Sequence, residues 1–170
     1  IATALDTALA KADKTIAPQL LRQLQREGVP IPLPTLKALA KRERDGDTVA
    51  ALLQALARHP AGQIRDELQA IIREPGHADA NRREAIALLA KQKDAGQLWL
   101  PLAKQVEPGP ALAELMERLG WRKDKASEGF IRGQVKSRSP EVRAAAIRAL
   151  ASRGIKAAAR EIQARLDDEE

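Results

Sequence analysis

Leu56, Leu89, Leu119 and Leu150 stand 33, 30 and 31 residues apart. Three residues before them come Leu53, Ile86, Met116 and Ile147, and one residue after them Ala57, Ala90, Gly120 and Ala151. A large, large, small pattern returning at a nearly constant interval restricts the chain to stacked copies of one supersecondary unit. Within each interval the apolar residues recur at three and four, the spacing of a helix face. A turn signal divides each interval into two helical runs. The expectation is an all-α fold of stacked antiparallel helix pairs, with the small residues allowing adjacent helices to approach.

The run that states this unit most completely begins at Ser139. Ser139 occupies an N-cap position and Pro140 the first helical position, where a missing N–H costs nothing. Val142, Ala146, Ile147 and Leu150 share one face. Gly154 supplies a left-handed stop, and Ile155, Ala158, Ala159, Ile162 and Leu166 form the stripe of a return helix.

Earlier units follow the same plan. Asp47 is expected to cap a helix carrying Val49, Leu52, Leu53 and Leu56, with a turn at His59-Pro60-Ala61-Gly62 and a return through Ile64, Leu68, Ile71 and Ile72. Asn81 is expected to cap the next helix, and Leu98, Leu100, Leu102 and Val106 lie on its partner. A third pair carries Leu112 to Leu119, ended by Gly120, then Phe130, Ile131 and Val135. Before residue 47 the pattern is less regular. Helices are expected near residues 1–11, from a Thr15 cap with Ile16, Leu20, Leu21 and Leu24 inward, and from Pro34 or Thr35 to about Arg44. Pro30, Pro32 and Pro34 make an extended connector.

The motif Ser139-Pro140-Glu141-Val142-Arg143, followed by Ala145, Ala146, Leu150 and Gly154, resembles the opening of a HEAT-like repeat. Asn81-Arg82-Arg83-Glu84-Ala85-Ile86 through Gly96, with Pro101 in the second helix, is a weaker match to the same family. The resemblance covers roughly three-quarters of the chain. It implies a right-handed α-solenoid with an irregular helical cap over residues 1–46. Four repeats then follow in one continuous domain, at about 47–75, 80–108, 110–138 and 139–168. It also implies a scaffold that binds a partner on its concave helical surface.

Composition narrows the chemistry. There is no cysteine, hence no disulfide, thiolate metal site or cysteine nucleophile. The two histidines, His59 and His77, lie in turns beside proline or glycine and are expected at the surface without a metal role. No phosphate-cradling glycine loop and no nucleophile motif appear. No enzyme activity, metal or cofactor is therefore expected. No apolar run reaches the length of a membrane span. Ile1 is not a methionine, so the chain is expected to be a processed product or a segment of a larger protein, and its compartment is not assigned.

Charge supplies the remaining signal. Residues 108–166 hold 13 basic and 6 acidic side chains, while residues 46–107 are balanced at 8 and 8. Arg132 and Lys136 are four apart, as are Lys156 and Arg160, so each pair is expected on one face of a second helix, lining the inner curve. Arg122, Lys123 and Lys125 extend this basic strip, and Trp121 beside them could anchor a partner or stack on a base. The expected partner is a protein. The alternative is a nucleic acid held on the basic strip. Trp99, among Leu98, Leu100 and Leu102, is expected to be packing.

Overall fold

The computed structural model describes residues 7–9 and 11–154. Every regular element among them is helical. The second helix expected from Ile155 to Leu166, together with Lys156 and Arg160, lies outside the described residues, as does most of the helix expected over 1–11. The helices are α1 (Ile16–Arg26), α2 (Leu33–Arg42), α3 (Gly46–Leu56), α4 (Arg65–Arg73) and α5 (Asp79–Leu89), followed by α6 (Trp99–Ala103), α7 (Pro110–Gly120), α8 (Lys125–Gln134) and α9 (Pro140–Ser152). Short 3₁₀ turns at Ala61–Gln63 and Ala95–Gln97 precede α4 and α6. The chain forms two compact units, Ile1–Gln92 and Lys93–Glu170.

In the first unit, alternate helices pack on one another: α1 on α3, α3 on α5, and α2 on α4. The closest pairing of consecutive helices is α4 with α5. The core is aliphatic. Leu21, Leu36, Leu52, Leu53, Leu56, Leu68, Ile71, Ile72, Ile86 and Leu89 are fully buried. Buried side-chain bonds tie the connections to the helices. Asn81 Nδ2 donates to the Gly46 carbonyl at 2.8 Å, and Arg82 Nε to the Ile72 carbonyl at 2.9 Å, near the end of α4. Gln92 donates to the Ala61 carbonyl at 2.8 Å and accepts from Arg65 Nε at 2.7 Å.

In the second unit the dominant contact is α7 against α9, with α8 packed on both and α6 on α7. Leu115, Met116, Leu119, Ile131, Val142, Ala145, Ala146 and Leu150 are fully buried between them. Trp99 is buried, as expected of a packing residue. All four recurring leucines, at 56, 89, 119 and 150, lie in the cores of their units.

Several local expectations are corrected. The N-cap of α3 is Asp45, whose carboxylate accepts from the Thr48 N–H and hydroxyl at 2.9 Å each, so Asp47 lies inside the first turn. Asn81 is likewise inside α5, buried on Gly46. Thr15 makes no side-chain cap; the Asp13 carboxylate accepts from the Thr15 and Ile16 N–H groups instead. Ile16 faces outward, 55% exposed, and Ala17, Pro18 and Leu21 fill the buried face. Gly28 and Gly154 do adopt the left-handed conformation that ends a helix, at φ 69° and 71°. Gly120 does not. It is the last residue of α7, and a Cβ there would lie 3.0 Å from Ala149 Cα. Its small size serves helix approach. Ala57 and Ala151, at the equivalent repeat positions, are exposed, so smallness is not required for packing there.

Candidate functional site

The turn between α7 and α8 carries the most exposed large apolar side chain among the described residues. Trp121 caps the C-terminus of α7 and is 81% exposed. An indole in water forgoes the burial that usually stabilises aromatic side chains. The backbone that carries it is held from both sides.

Asp124 begins the hold. Its carboxylate accepts from the Ser127 N–H at 2.8 Å and the Ser127 hydroxyl at 2.8 Å, capping α8. It also accepts from Arg122 Nε at 2.8 Å. The Ser127 N–H, then the Arg122 guanidinium and the Ser127 hydroxyl, hold the Asp124 carboxyl well below the usual carboxylate range. Arg122 donates a second bond, from Nη1, to the Gly96 carbonyl. From the far end of α9, Arg153 donates to the Asp124 carbonyl at 2.9 Å and the Leu119 carbonyl at 3.4 Å. The Arg153 side chain is only 4% exposed and lies 3.7 Å from the Glu128 carboxylate. Arg122 and Arg153 thus act as buttresses for the turn that presents Trp121.

These contacts redistribute the expected basic strip. Arg122 is engaged by Asp124 and Gly96. Arg132 is paired with Glu128 at 3.0 Å along α8. Lys136 does not share a helix with it: α8 ends at Gln134 and Lys136 stands in the following turn, exposed. Arg118 and Arg148 are paired with Glu114 and Glu117 at 2.8 and 2.7 Å. The exposed cations nearest Trp121 in sequence are Lys123 and Lys125. Trp121 and Lys123 therefore stand on the turn between α7 and α8, with Lys125 at the start of α8, and Arg122 takes a structural part. An aspartate three residues before Ser127 was the available signal for this turn, since Asp-x-x-Ser is a capping spacing.

His77 is the second correction among the candidates. It was expected at the surface, yet it is buried beside a cavity of about 250 Å³ lined by Arg44, Asp66, Glu67 and Glu74. Burial, and then the charge of Arg44, pushes its pKa below the ordinary value. Its Nδ1 has no hydrogen-bond partner. Arg44 and Glu74 pair at 3.7 Å, and Lys37 reaches Glu67 at 3.2 Å. Among the described residues no cluster of three His, Asp or Glu side chains has the arrangement of a metal site. No helix among them is long and apolar enough to cross a membrane.

The chain matches no protein-family model, no curated protein and no solved structure.

Proposed function

We propose that this chain is a HEAT-like helical-repeat module without catalytic activity, and that it recognises a protein partner through the turn at Trp121. The repeat reading is supported by the alternate-helix packing within each unit and by the burial of leucine at every repeat. The observation that carries the recognition reading is the exposed indole on a buttressed backbone. An exposed tryptophan on a fixed backbone leaves little backbone to order on binding and gains a large buried area, and tryptophan is enriched at interface hot spots. Lys123 and Lys125 beside it favour a partner whose apolar pocket is rimmed by carboxylates.

The test is a selection of peptide ligands on the intact chain from a random display library. Enriched peptides should combine acidic residues with an apolar anchor. Their affinity should fall at least about tenfold in Trp121→Ala, while the thermal midpoint stays unchanged because the side chain is exposed. Enriched peptides indifferent to Trp121→Ala would sink the reading.

The nucleic-acid alternative draws on the same indole and lysines. Mixed-sequence DNA and RNA, titrated by anisotropy across a salt series, separate the two. Steeply salt-dependent binding that Trp121→Ala and Lys123→Glu/Lys125→Glu abolish would transfer the site to nucleic acid.

A further inference from the structure

A second candidate site lies in the first unit and owes nothing to Trp121. An open cavity of about 590 Å³ is lined by Gln19, Arg22, Gln25, Arg26, Gln54 and Arg58. Gln19, Arg22 and Arg26 fall at i, i+3 and i+7 on the outer face of α1, opposite the buried Ala17 and Leu21. Gln54, in the last turn of α3, and Arg58, in the turn after it, supply the other wall. The two walls are fastened together. Gln25 Nε2 donates to the Ala51 carbonyl at 3.0 Å, and Arg58 Nη2 donates to the Gln25 carbonyl at 3.2 Å.

Among the described residues, three guanidiniums line this cavity and no carboxylate does. Three other arginines of the unit meet acids, Arg42 with Glu43, Arg44 with Glu74 and Arg82 with Asp79, while Arg65 and Arg73 bond the neutral Gln92 and Gln69. Here the corresponding contacts are neutral. Arg26 donates to the Gln23 side chain at 2.8 Å and Arg58 to a carbonyl. The end of α1 accounts for part of this, since a cation near a helix C-terminus complements the backbone dipole. That covers Arg26 and Arg58. It does not cover Arg22, which lies a turn earlier and whose guanidinium makes no hydrogen bond or ion pair with the described residues. Like charges gathered in one concavity repel one another and raise the local concentration of anions. Guanidinium is suited to phosphate because its N–H groups match two oxygens at once. The volume lies in the range of small-molecule sites. An adjoining cavity of about 260 Å³ shares Gln25 and Arg58 and is walled by Val29, Pro30, Ile31 and Ala55.

We infer that this cleft binds a small organic phosphate ester, its phosphoryl groups on Arg22, Arg26 and Arg58 and its less polar part against Val29, Pro30 and Ile31. The test uses the intact chain and inorganic triphosphate as a probe of the anionic half, by calorimetry at low salt. One equivalent should bind, with affinity falling about tenfold in Arg22→Gln and again in Arg58→Gln. Arg83→Gln and Lys91→Gln, exposed elsewhere in the unit, should bind as the parent does. Of organic probes, a nucleoside diphosphate and an isoprenyl diphosphate should be compared. A gain over inorganic diphosphate for either supports the apolar subsite and tells which group it takes. Three results would overturn the inference. One is no heat with millimolar triphosphate. Another is equal weakening by the Arg83 and Lys91 controls. The last is duplex DNA binding that Arg22→Gln removes in a chain indifferent to triphosphate.

Discussion

Asp124 and His77 give the molecule two distinct responses to acid. The Asp124 carboxyl has a lowered pKa in the folded chain because Ser127 and Arg122 bond its ionised form. Its contribution is fully present above the ordinary value of 3.8 and is lost as pH falls below that. Asp45 and Asp13, each bonded to backbone N–H groups, act in the same direction and window. His77 is also lowered, here from 6.5 and by burial, so the unfolded chain takes up its proton first and stability declines from about that pH downward. Denaturant midpoints should therefore fall between pH 7 and 5.5, then again below pH 4. His77→Gln should flatten the first decline and leave the second; an unchanged profile would remove His77 from the account. Asp124→Ala should cost about 1 kcal/mol of stability at pH 7 through the lost cap, read from urea unfolding. The spacing of Asp124 to Ser127 marks the cap in the sequence, but neither residue's response to acid is announced there. Asp124 stands among charged neighbours, and the burial of His77 depends on α4 and the chain around Arg44.

Between elements, the decisive contact is α7 on α9. Gly120 lets the two backbones approach until a Cβ would sit 3.0 Å from Ala149 Cα and Ser152 Oγ. Backbone cannot yield as a side-chain tip can, so Gly120→Ala should destabilise by roughly 1–3 kcal/mol despite the better helix propensity of alanine. Ala151→Gln, at the equivalent repeat position but exposed, should change stability by no more than about 0.5 kcal/mol. Urea denaturation of the two variants checks both; equal effects would mean that the helix contact is looser than described. The repeat pattern identified position 120 as small for helix approach, but could not tell it from position 151, where the equivalent residue is exposed. Helical periodicity located the helix faces, and turn residues located most breaks. It missed which aspartate caps α3, because Asp45 and Asp47 flank Gly46 and only the path of the chain leaving α2 chooses between them.

Across the whole molecule, counted charge and available charge diverge. The 108–166 region is rich in basic side chains, yet Arg118, Arg122, Arg132, Arg148 and Arg153 each lie against a carboxylate. Exposed Lys123, Lys125, Lys136 and Arg138 are what remain among the described residues from 108 onward outside Arg143, whose guanidinium donates to the Ser137 and Arg138 carbonyls. The all-helical character, the helix faces and the recurring core leucines were legible in the chain itself, because each rests on backbone bonds and spacings only a few residues long. The presentation of Trp121 and the gathering of Arg22, Arg26 and Arg58 on one cleft were not. They depend on Arg122 meeting Gly96, Arg153 meeting Asp124 and Arg58 meeting Gln25, contacts 26 to 33 residues apart that exist only once helices have packed and brought those groups within reach.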